Sequence, residues 1–179
     1  GVDILSPVKV INSGYFDNLV TSAKGHIRKR KMTDLTRNPE GNSMQVLLNT
    51  FTEESYSPVH KHMDYSEIFI VVEGALAFFT FNEDGSSINC YIIDNGDIDG
   101  KSNTDRAIIV EAGQYHALTS APKALGYPGH AVVFEISGHY YDRTRVVKTM
   151  APFAPSKNNG LNGDAAYYES TLFKTCKHR

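Results

Sequence analysis

The sequence lacks an apolar run long enough to cross a bilayer, and it lacks a strong excess of charge of either sign. Its 179 residues carry 18 Lys and Arg against 20 Asp and Glu, for a net charge of −2. A membrane helix needs about 20 consecutive apolar residues, and broad binding to nucleic acid or an anionic membrane needs a clearly basic surface. We therefore expect neither a membrane nor a nucleic acid as a partner.

The chain is also poor in cysteine and opens without a charged and apolar leader. Cys90 and Cys176 are its two cysteines, and they show no spacing typical of a metal site or a disulfide framework. Cys90 lies in an apolar, strand-like run, which predicts a buried free thiol, whereas Cys176 near the polar C-terminus is predicted to be exposed. These features favour a reducing compartment, so we expect a cytoplasmic protein.

Length and composition predict one globular domain that begins with a short helix. The hydrophobic fraction is 41% and the charged fraction 21%, values that are ordinary for a globular domain. Ser13 is the predicted N-cap of a helix in GYFDNLVTSAKG, and Gly25 is predicted to end it. The apolar face of this helix consists of Tyr15, Phe16, Leu19 and Val20.

The end of the chain differs from the rest in composition. We assign residues 1–155 to a single domain that includes the N-terminal helix, and residues 156–179 to a C-terminal extension. Residues 156–165 contain KNNGLNGD and are predicted to be a linker. The final AAYYESTLFKTCKHR fits either a short helix or a strand added to a sheet.

From Met44 onwards the sequence consists of short β-rich runs at regular intervals. Turns rich in Gly, Asn, Asp and Pro separate these runs, as around Asp84-Gly85. This pattern predicts an all-β antiparallel sandwich or barrel rather than alternating β/α units. Gly74 divides two of the runs and is predicted to form a tight turn or to need a positive φ. The runs are MQVLLNTF, YSEIFIVVEG, ALAFFTFN, SINCYIID, RAIIVEAG, HALTS and HAVVFEIS.

Three histidines and one glutamate carry the strongest chemical pattern. His60 and His62 are two residues apart, so an extended segment directs both side chains to one face, and Glu67 starts the next strand. Gly113 predicts a turn, after which His116 opens another strand. A barrel brings these strands together at its mouth. Such a ligand set suits Zn, Fe, Mn, Ni, Co or Cu and leaves one or two coordination positions open.

These residues resemble the two motifs of the cupin superfamily. The spacing His60-x-His62, four residues, Glu67, six residues, Gly74 is similar to the first motif, and Gly113-x-x-His116 is similar to the core of the second. The second motif usually has a proline where this chain has Glu111 and often an asparagine where it has Ser120. The resemblance implies a cupin double-stranded β-helix, or jelly-roll barrel, with one divalent transition metal.

The flanking segments resemble the WbuC-type cupin-fold metalloproteins, from about Val10 to Pro155. That family is associated with bacterial surface-polysaccharide gene clusters, and its reaction is poorly defined. The resemblance further implies a homodimer, because cupins frequently pair barrels through edge strands. The segments that carry the likeness are QVLLNTFTEESYSPVHKH, EIFIVVEGALAFFTFNEDGS, IVEAGQYH, VVFEISGHYYD and KTMAPFAPS.

Two further groups of residues are candidates for substrate binding or proton transfer. The basic run Ile27–Lys31 is interpreted mainly as a solvated loop, but Arg28 and Arg30 can hold an anionic substrate because guanidinium binds carboxylate or phosphate bidentately. Tyr140 or Tyr141 can serve as an acid or hydrogen-bond donor. Glu135 lies in an apolar strand, where a buried carboxylate needs a partner, and is predicted to assist the site.

Two functions from different classes remain open on the sequence. The first is a metalloenzyme of the oxygenase or isomerase type that acts on a small carbonyl, hydroxy-acid or sugar-derived substrate. The second is a non-catalytic module that binds or senses a small, sugar-like ligand on a metal-containing cupin barrel. Both make a small molecule the expected partner.

Overall fold

The computed structural model describes residues 2, 8–36, 44–101, 105–138 and 148–176. Tyr140 and Tyr141 lie outside the described residues. Two helices, nine strands and one 3-10 turn at Lys123–Leu125 are found in the described ranges. The elements are α1 (Ser13–Gly25), β1 (Arg30–Asp34), β2 (Gln45–Thr52), β3 (His60–Lys61), β4 (Glu67–Phe81), β5 (Asn89–Asp94), β6 (Ala107–Val110), β7 (Tyr115–Ser120), β8 (His130–Ser137), β9 (Thr149–Met150) and α2 (Gly163–Phe173).

The strands form one antiparallel sheet that curls into a barrel, as the sequence predicts. The order along the sheet is β1-β2-β8-β4-β7-β3-β9, with β5 and β6 also paired to β4. The first half of β4 pairs with β6 and β8, and its second half pairs with β5 and β7. One long strand therefore belongs to both walls of the barrel. The two runs that the sequence separates at Gly74 are continuous, which corrects that part of the prediction.

Gly74 is the point at which β4 passes from one wall to the other. Its φ is +71°, and a Cβ built there would lie 2.1 Å from the carbonyl oxygen of His130. The β4–β8 register also shifts between Val71 and Glu73, which marks a bulge and local bending. The predicted need for a positive φ at Gly74 is confirmed, because both the backbone angle and the neighbouring strand exclude a side chain.

Apolar side chains fill the barrel and both of its outer faces. Phe69 and Phe78 belong to the interior cluster, with ring centroids 5.3 Å apart. Leu19 of α1 packs on one outer face, and Leu172 of α2 packs on the other. The buried members of the interior cluster are Phe51, Phe69, Val71, Leu76, Phe78, Ile93, Val110, Leu118, Ala131 and Val133.

Helix α1 begins one residue earlier than the sequence predicts, and its cap is a different residue. Asn12 has an extended backbone and its Oδ1 accepts a hydrogen bond from Tyr15 N at 3.2 Å. Asn12 is therefore the N-cap, and Ser13 is the first helical residue, so the prediction of Ser13 as cap is wrong by one position. Both residue types cap helices well, and the sequence alone does not choose between neighbours.

The basic run is not entirely a loop. Arg30 and Lys31 begin β1, an edge strand that pairs with β2 with Arg30 opposite Phe51. The predicted solvated loop is therefore correct only up to Lys29. Edge strands commonly carry exposed charges, which is why the residues of β1 lack the apolar alternation of the inner strands.

The C-terminal segment folds back onto the barrel. Residues 163–173 form α2, so the helix is the correct one of the two alternatives. Cys90 and Cys176 form a disulfide across a sequence separation of 86, and Cys176 is 8% exposed. The predictions of a free thiol at Cys90 and an exposed Cys176 are therefore wrong, because a long return of the chain brings together two cysteines whose spacing has no local pattern.

Residues between the barrel and α2 are also attached to the body of the protein. Tyr56 donates its hydroxyl hydrogen bond to the Pro155 carbonyl at 2.8 Å, and Leu161 N donates to the Glu54 carbonyl at 2.7 Å. Neither α1 nor α2 is long and apolar enough to span a membrane, and the other described residues contain no such helix.

Candidate metal centre

Three histidines meet at one end of the barrel interior. His60 of β3 lies directly opposite His116 of β7 in the strand register, and His62 follows β3 immediately. The ring centroid of His60 lies 4.5 Å from that of His116 and 5.1 Å from that of His62. One ligand atom from each histidine lies within 4.8 Å of the others, so the cluster can bind a metal ion.

Glu67 completes the cluster from the first position of β4. Its Oε2 lies 3.2 Å from His116 Nε2 and 3.5 Å from His62 Nε2, and the residue is 2% exposed. The structure therefore brings together all four residues that the sequence singles out as metal ligands. They come from three separate strands and a connecting segment, as a barrel requires.

Hydrogen bonds fix the orientation of each imidazole. A ring nitrogen that faces a carbonyl oxygen must carry the proton, which leaves the other nitrogen as a lone-pair donor. His60 and His116 therefore present Nε2 to the centre of the cluster. The hydroxyl of Tyr65 forms a hydrogen bond with Nδ1 of His62. The contacts are His60 Nδ1 to Pro58 O at 2.8 Å, His116 Nδ1 to Gln114 O at 3.0 Å, and His62 Nδ1 to Tyr65 Oη at 2.8 Å.

Two buried atoms of the cluster test whether a metal fits. Glu67 Oε2 and His116 Nε2 are buried and make no hydrogen bond to any described residue, although they are only 3.2 Å apart. Orphaned buried polar atoms are rare and call for a partner. Ligands about 2 Å from one ion lie roughly 3–3.5 Å from each other. The spacing and the N/O donor set thus fit a transition metal.

Burial keeps the histidines in the form that binds metal. Burial lowers the pKa of His116 to about 4, against weaker opposing effects of the Gln114 carbonyl and Glu135. Burial also lowers the pKa of His60 well below its usual range, and the neighbouring His116 and Lys148 lower it further. Both imidazoles are therefore neutral near pH 7, as coordination through nitrogen requires.

Glu135 lies beside Glu67 and has the partner that a carboxyl in an apolar strand needs. Asn49 Nδ2 donates to Glu135 Oε2, and the two carboxyl groups hydrogen-bond to each other. Burial and the adjacent Glu67 raise the pKa of Glu135 well above its usual range. Burial also raises the pKa of Glu67, which the hydrogen bond from Glu135 and the charge of Lys148 partly oppose. Glu135 therefore binds a proton more readily than an ordinary glutamate and, when protonated, can donate to Glu67.

Basic side chains approach the same end of the barrel. Arg30 donates to Ser57 Oγ at 3.4 Å, and its guanidinium lies 5.9 Å from the Phe51 ring centroid. Lys148 precedes β9, which pairs with β3, and its charge acts on both Glu67 and Glu135. Arg28 is exposed and acts electrostatically on Arg30 and Lys148.

The two glycine-containing motifs are joined through the backbone. Gly113 has a φ of +84°, and its N donates to the His62 carbonyl at 2.7 Å. The turn that positions His116 is thus tied to the segment that carries His62. Glu111, which replaces the usual proline, accepts from Ser66 Oγ at 2.9 Å, so the turn forms without the proline.

Three residues of the site escape prediction from the sequence. Asn49 is a polar residue in the otherwise apolar run MQVLLNTF, and a buried polar residue in such a run is a usable signal for a partner. Tyr65 lies three residues after His62, but nothing in its spacing indicates the contact. Lys148 is the first residue of KTMAPFAPS, a segment that carries the resemblance but gives Lys148 no role, and the β3–β9 pairing is what places it near the cluster.

Sequence comparison identifies one matching family model and no matching curated protein. Residues 11–93 match the family described as a domain of unknown function, DUF6016. A search of curated proteins finds no match.

Comparison with solved structures shows the fold. The capsular polysaccharide assembling protein CapF from Staphylococcus aureus matches with a TM-score of 0.53 and 16% identity, over 66% of this chain and 31% of CapF. Protein SO0799 from Shewanella oneidensis matches with a TM-score of 0.53 and 11% identity, over 79% of this chain and 85% of that protein. The present chain thus spans less than a third of CapF.

A cupin-like protein from Thermotoga maritima also matches, with a TM-score of 0.47 and 18% identity, over 68% of this chain and 74% of that protein. The likenesses to CapF and SO0799, both at low identity, extend to architecture alone. In the present chain this architecture is a curled antiparallel sheet with one strand shared by both walls. The chain therefore has the fold of a cupin β-barrel preceded by a short helix.

Proposed function

We propose that this protein is a metal-binding cupin in which His60, His62, Glu67 and His116 hold one divalent transition metal, and that it is a metalloenzyme acting on a small carbonyl, hydroxy-acid or sugar-derived substrate. The observation that supports this most directly is the pair of orphaned atoms, Glu67 Oε2 and His116 Nε2. A buried carboxylate oxygen beside a buried imidazole nitrogen is unfavourable unless an ion or a proton lies between them.

The residues of this chain have distinct roles under this proposal. A bound divalent ion would supply Lewis acidity or a site for oxygen in a reaction of the oxygenase or isomerase type. The carbonyls of Pro58 and Gln114 hold the tautomers of His60 and His116. Glu135 keeps a proton beside Glu67 and orients it. Such outer partners tune ligand geometry and basicity.

A non-catalytic binding module is the second candidate, and one observation favours it. Glu135 lies beside the candidate ligand Glu67, and it is already engaged by both Asn49 and Glu67. A carboxyl held in two hydrogen bonds is poorly placed to transfer a proton to substrate. A site in which Glu135 transfers no proton is suited to binding a ligand without acid–base conversion.

The likeness to CapF supports a small-molecule partner without identifying it. CapF assembles capsular polysaccharide, and one of its structures contains the inhibitor 3-isopropenyl-tropolone. A sugar-derived substrate for the present chain is consistent with that likeness. A role like that of the WbuC-type proteins is also consistent with it. The homodimer stays a prediction. The cytoplasmic location stays one too, and the disulfide is more typical of an oxidising compartment.

Metal analysis of protein purified without a histidine tag tests the proposal. We expect about one equivalent of a transition metal in the wild type and a near-complete loss in His60→Ala and His116→Ala, since each removes a ligand from a four-residue set. His130→Gln is a matched control, because His130 pairs with Glu73 at 3.0 Å outside the cluster. It should keep the metal of the wild type.

Turnover separates the two candidate functions. Oxygen uptake or product formation from carbonyl, hydroxy-acid or sugar substrates that disappears in His116→Ala supports the enzyme. Tight ligand binding without product supports the module. A wild-type protein that takes up none of Fe, Mn, Co, Ni, Cu or Zn on reconstitution contradicts both.

A further inference from the structure

Lys148 lies on the same side of its strand pair as the histidine ligands. The antiparallel pairing of β3 with β9 places Met150 opposite His60 and Thr149 opposite Lys61. Continuing this register by one residue places Lys148 opposite His62. Directly opposed residues of an antiparallel pair point to the same face. Lys148 thus belongs to the face of the barrel that carries the metal ligands, although it is exposed to solvent.

Arg30 reaches the same region from the opposite wall. It lies opposite Phe51 in the β1–β2 register, and Phe51 belongs to the interior cluster, so the Arg30 side chain starts on the interior side. Its guanidinium bonds Ser57, three residues before His60. Burial and the nearby charge of Arg28 lower the pKa of Arg30 to about 10, which leaves it charged at neutral pH.

The basic residues are close enough to repel one another. The charges of Arg30 and Arg28 act unfavourably on Lys148, and only Glu135 and Glu67 act favourably on it. Among the described residues, no carboxylate oxygen lies within the 4.0 Å ion-pair distance of Arg28, Arg30 or Lys148. Like charges gathered without close counterions are destabilising, and a divalent ion at the cluster would add more positive charge.

We propose that Arg30 and Lys148, with a smaller contribution from Arg28, form an anion-binding mouth above the metal, and that the ligand of this site is a small molecule carrying an oxyanion, as in a hydroxy acid or a phosphorylated sugar. The inference rests on the proposed function and assigns the substrate class of the same site. The oxyanion lies between the two cations, and a neighbouring oxygen of the ligand faces the histidines. A neutral sugar would leave these charges uncompensated.

Two ligands that differ in charge but little in shape test the inference. Glycolate and its neutral amide, glycolamide, are titrated calorimetrically into the metal-loaded protein. We expect glycolate to bind the wild type at least about tenfold more tightly, as a charge-assisted hydrogen bond allows. Arg30→Gln and Lys148→Gln should each weaken glycolate about tenfold and leave glycolamide unchanged. Inorganic phosphate is titrated in parallel, and tighter binding with the same dependence on both residues identifies a phosphorylated ligand.

The controls separate this inference from the proposed function. Lys174→Gln removes an exposed lysine at the end of α2 and should change neither affinity. Metal content is measured in every variant, because a wild type without metal overturns the proposed function itself. Full metal content with glycolate affinity unchanged in both variants overturns the anion-binding mouth alone. Lys148 is exposed, so its variant provides the answer even where Arg30→Gln destabilises the fold.

Discussion

The two ends of the barrel interior are built from the same strands but have opposite character. We call the region of His60, His62, Glu67 and His116 the metal end. Strand β4 contributes Glu67 to the metal end and Leu76 to the other end. Strand β8 contributes Glu135 to the metal end and Ala131 to the other end. We call the second region the apolar end, which consists of Val71, Leu76, Ile93 and Ala131. The apolar end is filled by hydrophobic packing, whereas the metal end contains polar side chains that are held by specific hydrogen bonds or, like Glu67 Oε2 and His116 Nε2, make none to a described residue.

This difference separates stability from chemistry. Burial of apolar area stabilises the fold in proportion to the area buried, and the apolar end supplies that area. The metal end buries Glu67 and three imidazoles and partly buries Glu135, which is unfavourable unless hydrogen bonds or an ion compensate. We therefore expect substitutions at the apolar end to change folding, and those at the metal end to change metal affinity.

The largest effect on stability is expected from Leu76→Ala. Leu76 is 0% exposed, and truncation of a fully buried leucine typically lowers the free energy of unfolding by about 2–5 kcal/mol. Urea unfolding measures this loss, and metal analysis at low temperature should show unchanged stoichiometry in the folded fraction. Ile109→Ala, at a position 62% exposed on β6, is the control and should change stability by less than about 0.5 kcal/mol. Loss of metal in folded Leu76→Ala protein would show that the two ends are coupled.

The disulfide provides the next largest expected effect, and it lies outside the barrel interior altogether. The double variant Cys90→Ser, Cys176→Ser opens a link across 86 residues, and removal of such a link typically destabilises by about 2–4 kcal/mol. Unfolding of the wild type with and without reductant should show the same difference. Metal content should not change, since the link fastens the end of α2 to β5. Equal stability in both redox states would mean that α2 is held by its packing alone.

The metal end was more predictable from the sequence than the way the chain closes around it. His60, His62, Glu67 and His116 are identified by spacing, because a period of two in a strand and a turn before His116 leave few alternatives. Gly74 is identified because glycine, which has no side chain, readily adopts a positive φ. Each of these motifs is local, so each can be recognised from a short stretch of sequence, whereas their meeting at one place depends on the fold.

The remaining features depend on contacts between distant segments. The bond between Cys90 and Cys176 follows from the position of α2, and the approach of Lys148 follows from a two-residue strand. Neither leaves a periodic pattern. The role of Arg30 in binding an anion stays a prediction, and its place in an edge strand is set by the pairing of β1 with β2. Residue type thus indicates which interactions a side chain can make, and the chain topology determines whether that side chain lies at the site.

A buried acid away from the metal end allows a test based on pH. Burial raises the pKa of Glu169 on α2 from its ordinary 4.5 to about 8. Between these values the folded state binds more protons than the unfolded state, so stability falls as pH rises, by at most about 1.4 kcal/mol per pH unit. Unfolding measured from pH 5 to pH 8 should show this slope reduced in Glu169→Gln. The exposed acid Asp17 on α1 is the control, and Asp17→Asn should follow the wild type. Parallel curves for Glu169→Gln and wild type would place Glu169 in a polar environment.

The smallest effect is expected where a substitution keeps the partner relations of the metal end. Burial and the adjacent Glu67 raise the pKa of Glu135 well above its usual range, so we expect Glu135 to be protonated and to donate to Glu67. A glutamine amide donates in the same position, so Glu135→Gln should change metal affinity by less than about threefold, whereas Glu135→Leu removes the donor and should weaken it by about 10- to 100-fold, as for other outer partners of metal ligands. Competition with a chelator measures both. Equal losses in the two variants would indicate that Glu135 is ionised and acts through its charge. A higher metal affinity in Glu135→Gln than in Glu135→Leu would show that the metal end depends on specific hydrogen bonds. The packing of the apolar end depends instead on the area buried.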